Sequence, residues 1–335
     1  MKVQILKTLR ALGERKTIEL ILERLTKMPD MPIPFGDDVS AYPISDDYLA
    51  VMKTDMLVGK TDVPPGMNEW QAARKAVVMN ISDFAAKGVK PLCILVSLGL
   101  PSELSEGDIE AIGEGLDAGA REYGVYILGG DTNEAPDLII SLSVFGIAKK
   151  DSVVRRRGAK PGDFVAVTGP FGKTAAGLKL LIDGLGAPNE VYNTLVDSIY
   201  MPKARLKEGL ALSATGAVTA SIDSSDGLAW SLYEIARASG VGFVIDNVPL
   251  APEAKIFAEE NGLDPLDLVF YGGEEYELVL TINPTLWSRA EEAVRKIGGS
   301  LIKIGRATED RQVILETLGR RQLIEPRGWE HFRRF

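Results

Sequence analysis

Apolar runs suited to strands alternate with stretches of helical period along almost the whole chain, and this alternation restricts the fold more than any single motif. "YLAVMKTDMLV" (48–58) is strand-like, while "NEWQAARKAVVMNISDFAAKG" (68–88) has helical period, an N-cap in Asn68 and a stop at Gly88. "PLCILVSLGL" reads as a buried strand, and "VYILGG" and "LIISLSVFGIA" as further strands. "SEGDIEAIGEGLDAGAREYG" (105–124) reads as a helix with acids in its first turns, where the helix dipole favours them. Polar "KKDSVVRRRGAKPGD" (149–163), with its Lys-Pro-Gly-Asp turn, breaks the pattern. The alternation then resumes. Strands are expected in "DFVAVTG", "TASI", "VGFVI" and "YELVLTI", and helices over 173–184, 203–214, 227–239, 251–261 and 284–297, before two short closing strands. The expectation is an α/β (α+β) chain of two domains, 1–148 and 149–335.

What such domains can do is narrowed by what the chain lacks. It has one histidine, His331, which leaves no basis for Ser-His-Asp chemistry or a His-rich zinc site. Its one cysteine, Cys93, cannot form an internal disulfide and reads as a small buried hydrophobe. A net charge of −9 argues against nucleic-acid binding, which needs a basic face. No apolar run approaches the ~18–20 residues of a membrane span. "MKVQILKTLRALGERK" lacks the apolar core and cleavage site of a signal peptide, so the cytoplasm is the expected compartment. Any metal should be hard and oxygen-ligated.

"TGPFGKTAAG" (168–177) superficially resembles a phosphate-binding Walker loop. Such a loop needs four residues between its first glycine and Gly-Lys-Thr, so that successive backbone N–H groups wrap the phosphates. Counting back from Gly172, that position is Val167, and Gly169 is too close. The stretch therefore reads as a strand-to-helix turn, and phosphate binding has to be sought elsewhere.

The acids at element junctions supply it. "FGDDVS" has Asp37 and Asp38 after a glycine, "LGGDTN" has Asp131 after two, and "SIDSSDGLAW" has Asp223 and Asp226 bracketing a strand-to-helix turn. Taken singly, several of these suit N-caps or Asx turns. Asp55, inside an apolar strand, and Asp83, on the apolar side of a helix, do not, because an unpaired carboxylate among apolar neighbours is costly. With few basic residues close by in sequence, such groups converge best around divalent cations. Oxygen-only ligation favours Mg²⁺ bridging carboxylates to substrate phosphates. Spacing alone thus reaches a Mg²⁺-dependent phosphate enzyme.

Taken in order, "GDDVSA", "KTDMLV", "RKAVVMNISDFAAKGVKP", "LGGDT", "RRRGAKPGD", "VTGPFGKTAAGL", "SIDSSDGL", "YGGEEYEL" and "RGWEHF" resemble the thiamine-monophosphate kinase family. That family belongs to an ATP-binding superfamily with aminoimidazole ribonucleotide synthetase, selenophosphate synthetase and a hydrogenase maturation protein. The segments run from 36 to 332. The resemblance implies an N-terminal ATP- and Mg²⁺-binding domain whose sheet forms a barrel-like interface in a homodimer, and a C-terminal α/β domain completing the sites. It implies transfer of phosphate from ATP to thiamine monophosphate, giving thiamine diphosphate.

Residue by residue, the resemblance implies that Asp38, Asp55, Asp83, Asp131 and Asp223 hold the Mg²⁺ cluster, with Asp55, Asp83 and Asp223 catalytic and Asp226 a further ligand. Lys53 and Thr54 match metal-adjacent positions, Lys53 through its carbonyl oxygen and Thr54 through its carbonyl or hydroxyl. Gly130, Asp131, Arg156 and Ser225 match nucleotide contacts. Glu274 and Trp329 match the thiamine monophosphate site, where an indole can stack on a cationic ring. Asp62 stands where family members often have a substrate-contacting histidine, Glu275 replaces a usual aspartate, and Ser224 replaces a commoner apolar residue. The chemistry fits a chain with one histidine. A phosphate monoester with second pKa near ~6 is already mostly dianionic at neutral pH, so direct in-line transfer needs no general base. Other superfamily members remain alternatives, but no reactive cysteine lies near the N-terminus and none ends the chain. A catalytically inactive homologue is a further alternative, and the full set of matched aspartates argues against it.

Overall fold

A computed structural model describes residues 8–317 and 319–332. In the first half the elements are α1 (Leu9–Leu22), β1 (Ser40–Pro43), β2 (Tyr48–Val58), α2 (Gly59–Asp62), α3 (Glu69–Lys87), β3 (Pro91–Leu100), α4 (Glu106–Glu122), β4 (Tyr126–Glu134) and β5 (Ile139–Lys149). The second half begins with β6 (Phe164–Val167), α5 (Lys173–Ile182), α6 (Asn189–Tyr200), α7 (Leu206–Ser213), β7 (Val218–Asp223), α8 (Leu228–Ser239) and β8 (Gly242–Ile245). It ends with α9 (Pro252–Asn261), α10 (Pro265–Tyr271), β9 (Leu278–Ile282), α11 (Trp287–Lys296), β10 (Ile302–Thr308), β11 (Val313–Thr317) and β12 (Arg320–Leu323).

The strands form two sheets. The first has the order β1-β2-β5-β3-β4, antiparallel except for the β3–β4 pair. The second has the order β12-β11-β8-β10-β6-β9-β7, antiparallel except for β8–β11. One mixed α/β domain is thus built on each sheet. Among the described residues no sheet closes into a barrel.

Helix α3 is the centrepiece, and its ends are set by the residues read from sequence. The Asn68 side chain accepts from the Gln71 N–H while the Gln71 side chain accepts from the Asn68 N–H, a reciprocal cap. Gly88 ends the helix in the left-handed region at φ 61°. The helix packs on β2, β5 and α4 of its own half and on α7 and β7 of the other. Its apolar residues join a core that runs from Val51 and Ile94 through to Leu278 and Ile282 of the second half.

Among the described residues, helices cover one face of the first sheet and leave the other open. On the other, Tyr42, Met52, Met56, Leu95, Tyr126 and Leu128 are exposed. This corrects the expectation that β3 is buried, because Leu95 is 53% exposed and free Cys93 only half-buried. A mostly antiparallel sheet can leave one face open, and the apolar sequence of β3 does not reveal this. Helices α1, α2, α6 and α10 and strand β1 were not expected, and three strands rather than two close the chain. Helix α1 buries only Gly13, which kinks it at φ 74°, and α10 is seven residues long, so neither presents a sustained apolar stripe. Among the described residues no helix is long and apolar enough to cross a membrane.

Candidate active site

The acids meet where the two sheets face each other across α3. Strand β2 alternates, so Lys53 and Asp55 lie on the covered face with buried Val51 and Leu57. Asp83 comes from the fourth turn of α3, Asp223 from the last residue of β7, and Asp38 from the turn before β1. One carboxylate oxygen each of Asp38, Asp83 and Asp223 lies within 4.8 Å of the others, and all three residues are buried. Beside them is a cavity of about 230 Å³ whose lining includes Lys53, Asp55, Arg156, Asp226 and Trp329.

Three cations from distant parts of the chain balance these acids. Lys53 Nζ lies 2.9 Å from Asp83 and 3.8 Å from Asp55. Lys87, fully buried, sits 2.7 Å from Asp37 and 2.6 Å from Asp38, and donates to the Ser221 carbonyl at 2.7 Å. Arg156 donates from Nε to Asp38 at 2.6 Å, and its backbone N–H donates to Asp37. The scarcity of bases close in sequence therefore did not carry over to space. Lys53 was expected to offer only its carbonyl oxygen, yet its ammonium reaches into the acid group.

The balance is incomplete, and the carboxyls differ accordingly. Burial raises Asp38, but Lys87 and Arg156 outweigh it and hold that carboxyl below the usual range. Burial pushes Asp83 well above its usual value, aided by Asp223, Asp38 and Asp55 against the pull of Lys53. Burial, with repulsion from Asp38, pushes Asp223 up to about 6 although Ser82 donates to it at 2.6 Å. Asp226 also rises to about 6, from burial and the nearby Glu14. Carboxylates crowded to this degree form a hard all-oxygen donor set, the kind that suits Mg²⁺.

Glu274 and Trp329, which the resemblance implies for the acceptor, hang from the turn after β7. The Glu274 N–H donates to the Ser225 carbonyl at 2.7 Å, and the Trp329 N–H to the Asp226 carbonyl at 3.0 Å. Trp329 is 43% exposed. It lines both the acid-lined cavity and a larger groove of about 660 Å³ that includes Leu178, Ile182, Tyr271 and Arg327. Asp62 is turned inward on its own short helix, where its carboxylate accepts from the Val58 N–H at 2.7 Å and the Thr61 hydroxyl at 3.1 Å.

Two expected ligands are not brought to the acid group within one chain. The Thr54 hydroxyl lies on the open side of the sheet, away from the acid group, and donates to the Leu142 carbonyl at 2.9 Å. Asp131 is exposed on β4 in register with Ser97, which pairs with Ser141 and through it with Met56. Cross-strand partners share a face, so Asp131 sits on the open side with Met56, opposite to Asp55. Gly130 is needed for packing, since an added Cβ would lie 1.8 Å from the Val96 carbonyl oxygen.

The glycine loop before α5 does hold a carboxyl group, and it is the chain's own. Glu275 accepts from the Gly172 N–H at 2.5 Å and the Thr174 N–H at 3.3 Å, occupying the helix N-terminus where a Walker loop would hold phosphate. Gly172 is at φ 102°, the conformation that lets the turn fold back on this carboxylate. Lys173 has no part in the acid-lined cavity.

Comparison with known proteins places this geometry. The models of the AIR synthase related protein N-terminal and C-terminal domains match residues 36–148 and 160–317. The thiamine-monophosphate kinase of Nitrosopumilus maritimus is 38% identical over 89% of this chain and 93% of its own length. This chain belongs to the thiamine-monophosphate kinase family. The family member from Pyrococcus horikoshii is 37% identical over 89% of this chain and 91% of its own. The solved structure of AaThiL complexed with AMPPCP and TMP superposes with a TM-score of 0.85, at 28% identity, over 98% of this chain and all of that one.

Reading the sequence for family motifs missed Lys75, Ser82 and Lys87. The signal was there. Lys75, Met79, Asp83 and Lys87 recur at four-residue spacing and so share one face of α3, the face that also carries the buried acid.

Proposed function

We propose that this chain is an ATP-dependent kinase that phosphorylates thiamine monophosphate to thiamine diphosphate, by direct in-line transfer and with Mg²⁺. What supports this most is the buried group Asp38, Asp83 and Asp223 beside an acid- and arginine-lined cavity, in a chain of this family. Asp38, Asp55, Asp83, Asp223 and Asp226 would hold Mg²⁺, with the Lys53 and Thr54 carbonyls beside them. Mg²⁺ there would neutralise the polyphosphate and position it. Arg156 is suited to a phosphate by its planar fork, and Ser225 to the nucleotide through its exposed hydroxyl. The acceptor's ring would stack on Trp329, with Glu274 beside it and Asp62 behind. The acceptor's phosphate oxygen is already anionic and needs no base, so the residues' task is to bring two polyanions together.

Residues 1–148 would form the Mg²⁺–ATP and dimerisation domain, and 149–335 would complete both sites. We assign the homodimer to the open face of the first sheet, where exposed apolar side chains from β1 to β4 form a patch of the kind that partners cover. A barrel-like arrangement would arise from two such sheets meeting. Asp131 lies on that face, so we assign its metal and nucleotide role, and that of adjacent Gly130, to the assembled dimer. We place the enzyme in the cytoplasm. Incubation with ATP, Mg²⁺ and thiamine monophosphate, followed by chromatography, should yield thiamine diphosphate. No product at any Mg²⁺ concentration would overturn the reading.

A further inference from the structure

Lys75 stands on the same face of α3 as Asp83, two turns earlier, and is 1% exposed. Its ammonium donates to Glu274 Oε1 at 2.6 Å and to the Asp62 carbonyl at 2.9 Å. These acceptors belong to two segments far apart in sequence, the short helix after β2 and the glycine loop before β9. An ammonium buried to this extent is costly unless it is paired and hydrogen-bonded. The loop it holds is itself unusual. Glu274 lies at φ 64° and Tyr276 at φ 53°, a left-handed conformation that is costly for a non-glycine residue. Backbone bonds from Glu274 to the Ser225 carbonyl and from Tyr276 to the Ser224 carbonyl tie the loop to the turn bearing Asp223 and Asp226. Among the described residues, Lys75 alone ties the Glu274 side chain to the first half.

We propose that Lys75 is a positioning residue for the phosphate-accepting substrate: it fixes the Glu274 carboxylate and the Asp62 segment across the boundary between the two sheets. This rests on the assignment of Glu274 and Asp62 to the thiamine monophosphate site. The device separates the two substrates. Helix α3 holds the acceptor loop through Lys75 and the metal-binding group through Asp83, so loss of Lys75 loosens the first and leaves the second intact. The Glu274 side chain is 23% exposed and can turn to water when Lys75 is absent, so no buried charge is stranded.

The test is steady-state kinetics of Lys75→Met, with circular dichroism as the check on folding. Loss of a charged hydrogen bond is worth about 1.5–3 kcal/mol, so the KM for thiamine monophosphate should rise roughly 10- to 150-fold. The KM for ATP should stay within about twofold. In the Glu274→Gln background the same substitution should add little, because the residue it positions is already impaired. Lys75→Gln keeps a donor for the Asp62 carbonyl and is the variant to read if Lys75→Met does not fold, with the same split expected. Equal rises for both substrates, or an unchanged KM for thiamine monophosphate in a folded variant, would overturn the proposal. Wild-type protein that makes no thiamine diphosphate would instead overturn the function on which it rests.

Discussion

Asp223 is held in the folded chain in a state that favours its proton. Its carboxyl is pushed up to about 6, above the ordinary aspartate value near ~4, so the native state binds the extra proton between those values. Stability from this group is full at low pH and lost as pH rises through about 6. At pH 8 and without metal, Asp223→Asn should therefore raise the melting temperature, by at most ~3 kcal/mol of stability, since the amide still accepts from Ser82. The same change should cut turnover roughly 100-fold or more, because one carboxylate is lost from the proposed metal and phosphate site. A variant less stable than wild type at pH 8, or one of near-normal turnover at saturating Mg²⁺, would contradict these assignments. Trp329 poses a related choice between packing and binding. It is 43% exposed and lies at the junction of two cavities, so little core is lost with it. Trp329→Ala should raise the KM for thiamine monophosphate roughly 2- to 30-fold through lost stacking, with little change in melting temperature. A fall in melting temperature with equal effects on both substrates would assign it to packing.

At the scale of elements, the turn into α5 carries the clearest contrast between motif and structure. Its glycines and lysine resemble a phosphate loop, but its N–H groups are occupied by Glu275. Lys173→Ala should therefore keep most of its turnover and its ATP KM, and a hundredfold loss would restore the phosphate-loop reading. Burial, with repulsion from Glu277, pushes Glu275 up to about 7, so its stabilising contribution fades as pH rises from about 4.5 through 7. Glu275→Gln keeps both acceptor bonds without the charge, and its melting temperature should vary less between pH 5 and 8 than that of wild type. An unchanged pH profile would mean the carboxyl is not buried as described. Helix α3 marks the limit of reading elements from sequence. Its caps at Asn68 and Gly88 and its acid at Asp83 were legible because each is a local signal. Lys75 and Lys87 share the spacing of Asp83, but charged residues on a helix usually mean a solvated face, and the fold was needed to show that they are buried. In the same way, the period of two places Lys53 and Asp55 together and Thr54 apart. The side taken by Asp131 depends on the β3–β4 register, which shifts at Ile94/Leu95, and no sequence pattern announces that shift.

The whole molecule is organised around a seam. Acids from the first half and from β7 meet there, and the cations that balance them come from β2, α3 and the segment between the sheets. Two-domain alternation was legible because the polar stretch at 149–163 interrupts it. The open face of the first sheet was not, because exposed and buried apolar strands look alike in sequence. If that face is the dimer interface, light scattering should give a dimer at micromolar concentration, and Leu95→Glu should shift it toward monomer. A wild-type monomer would contradict the assignment. The seam's proposed purpose is to pass the terminal phosphoryl group of ATP straight to thiamine monophosphate, and a rapid-quench experiment with ATP labelled at its γ-phosphate follows that group directly. In the presence of Mg²⁺ the label should move one for one into thiamine diphosphate, with none on the protein. Label released only as inorganic phosphate, or held on the chain before reaching product, would contradict it.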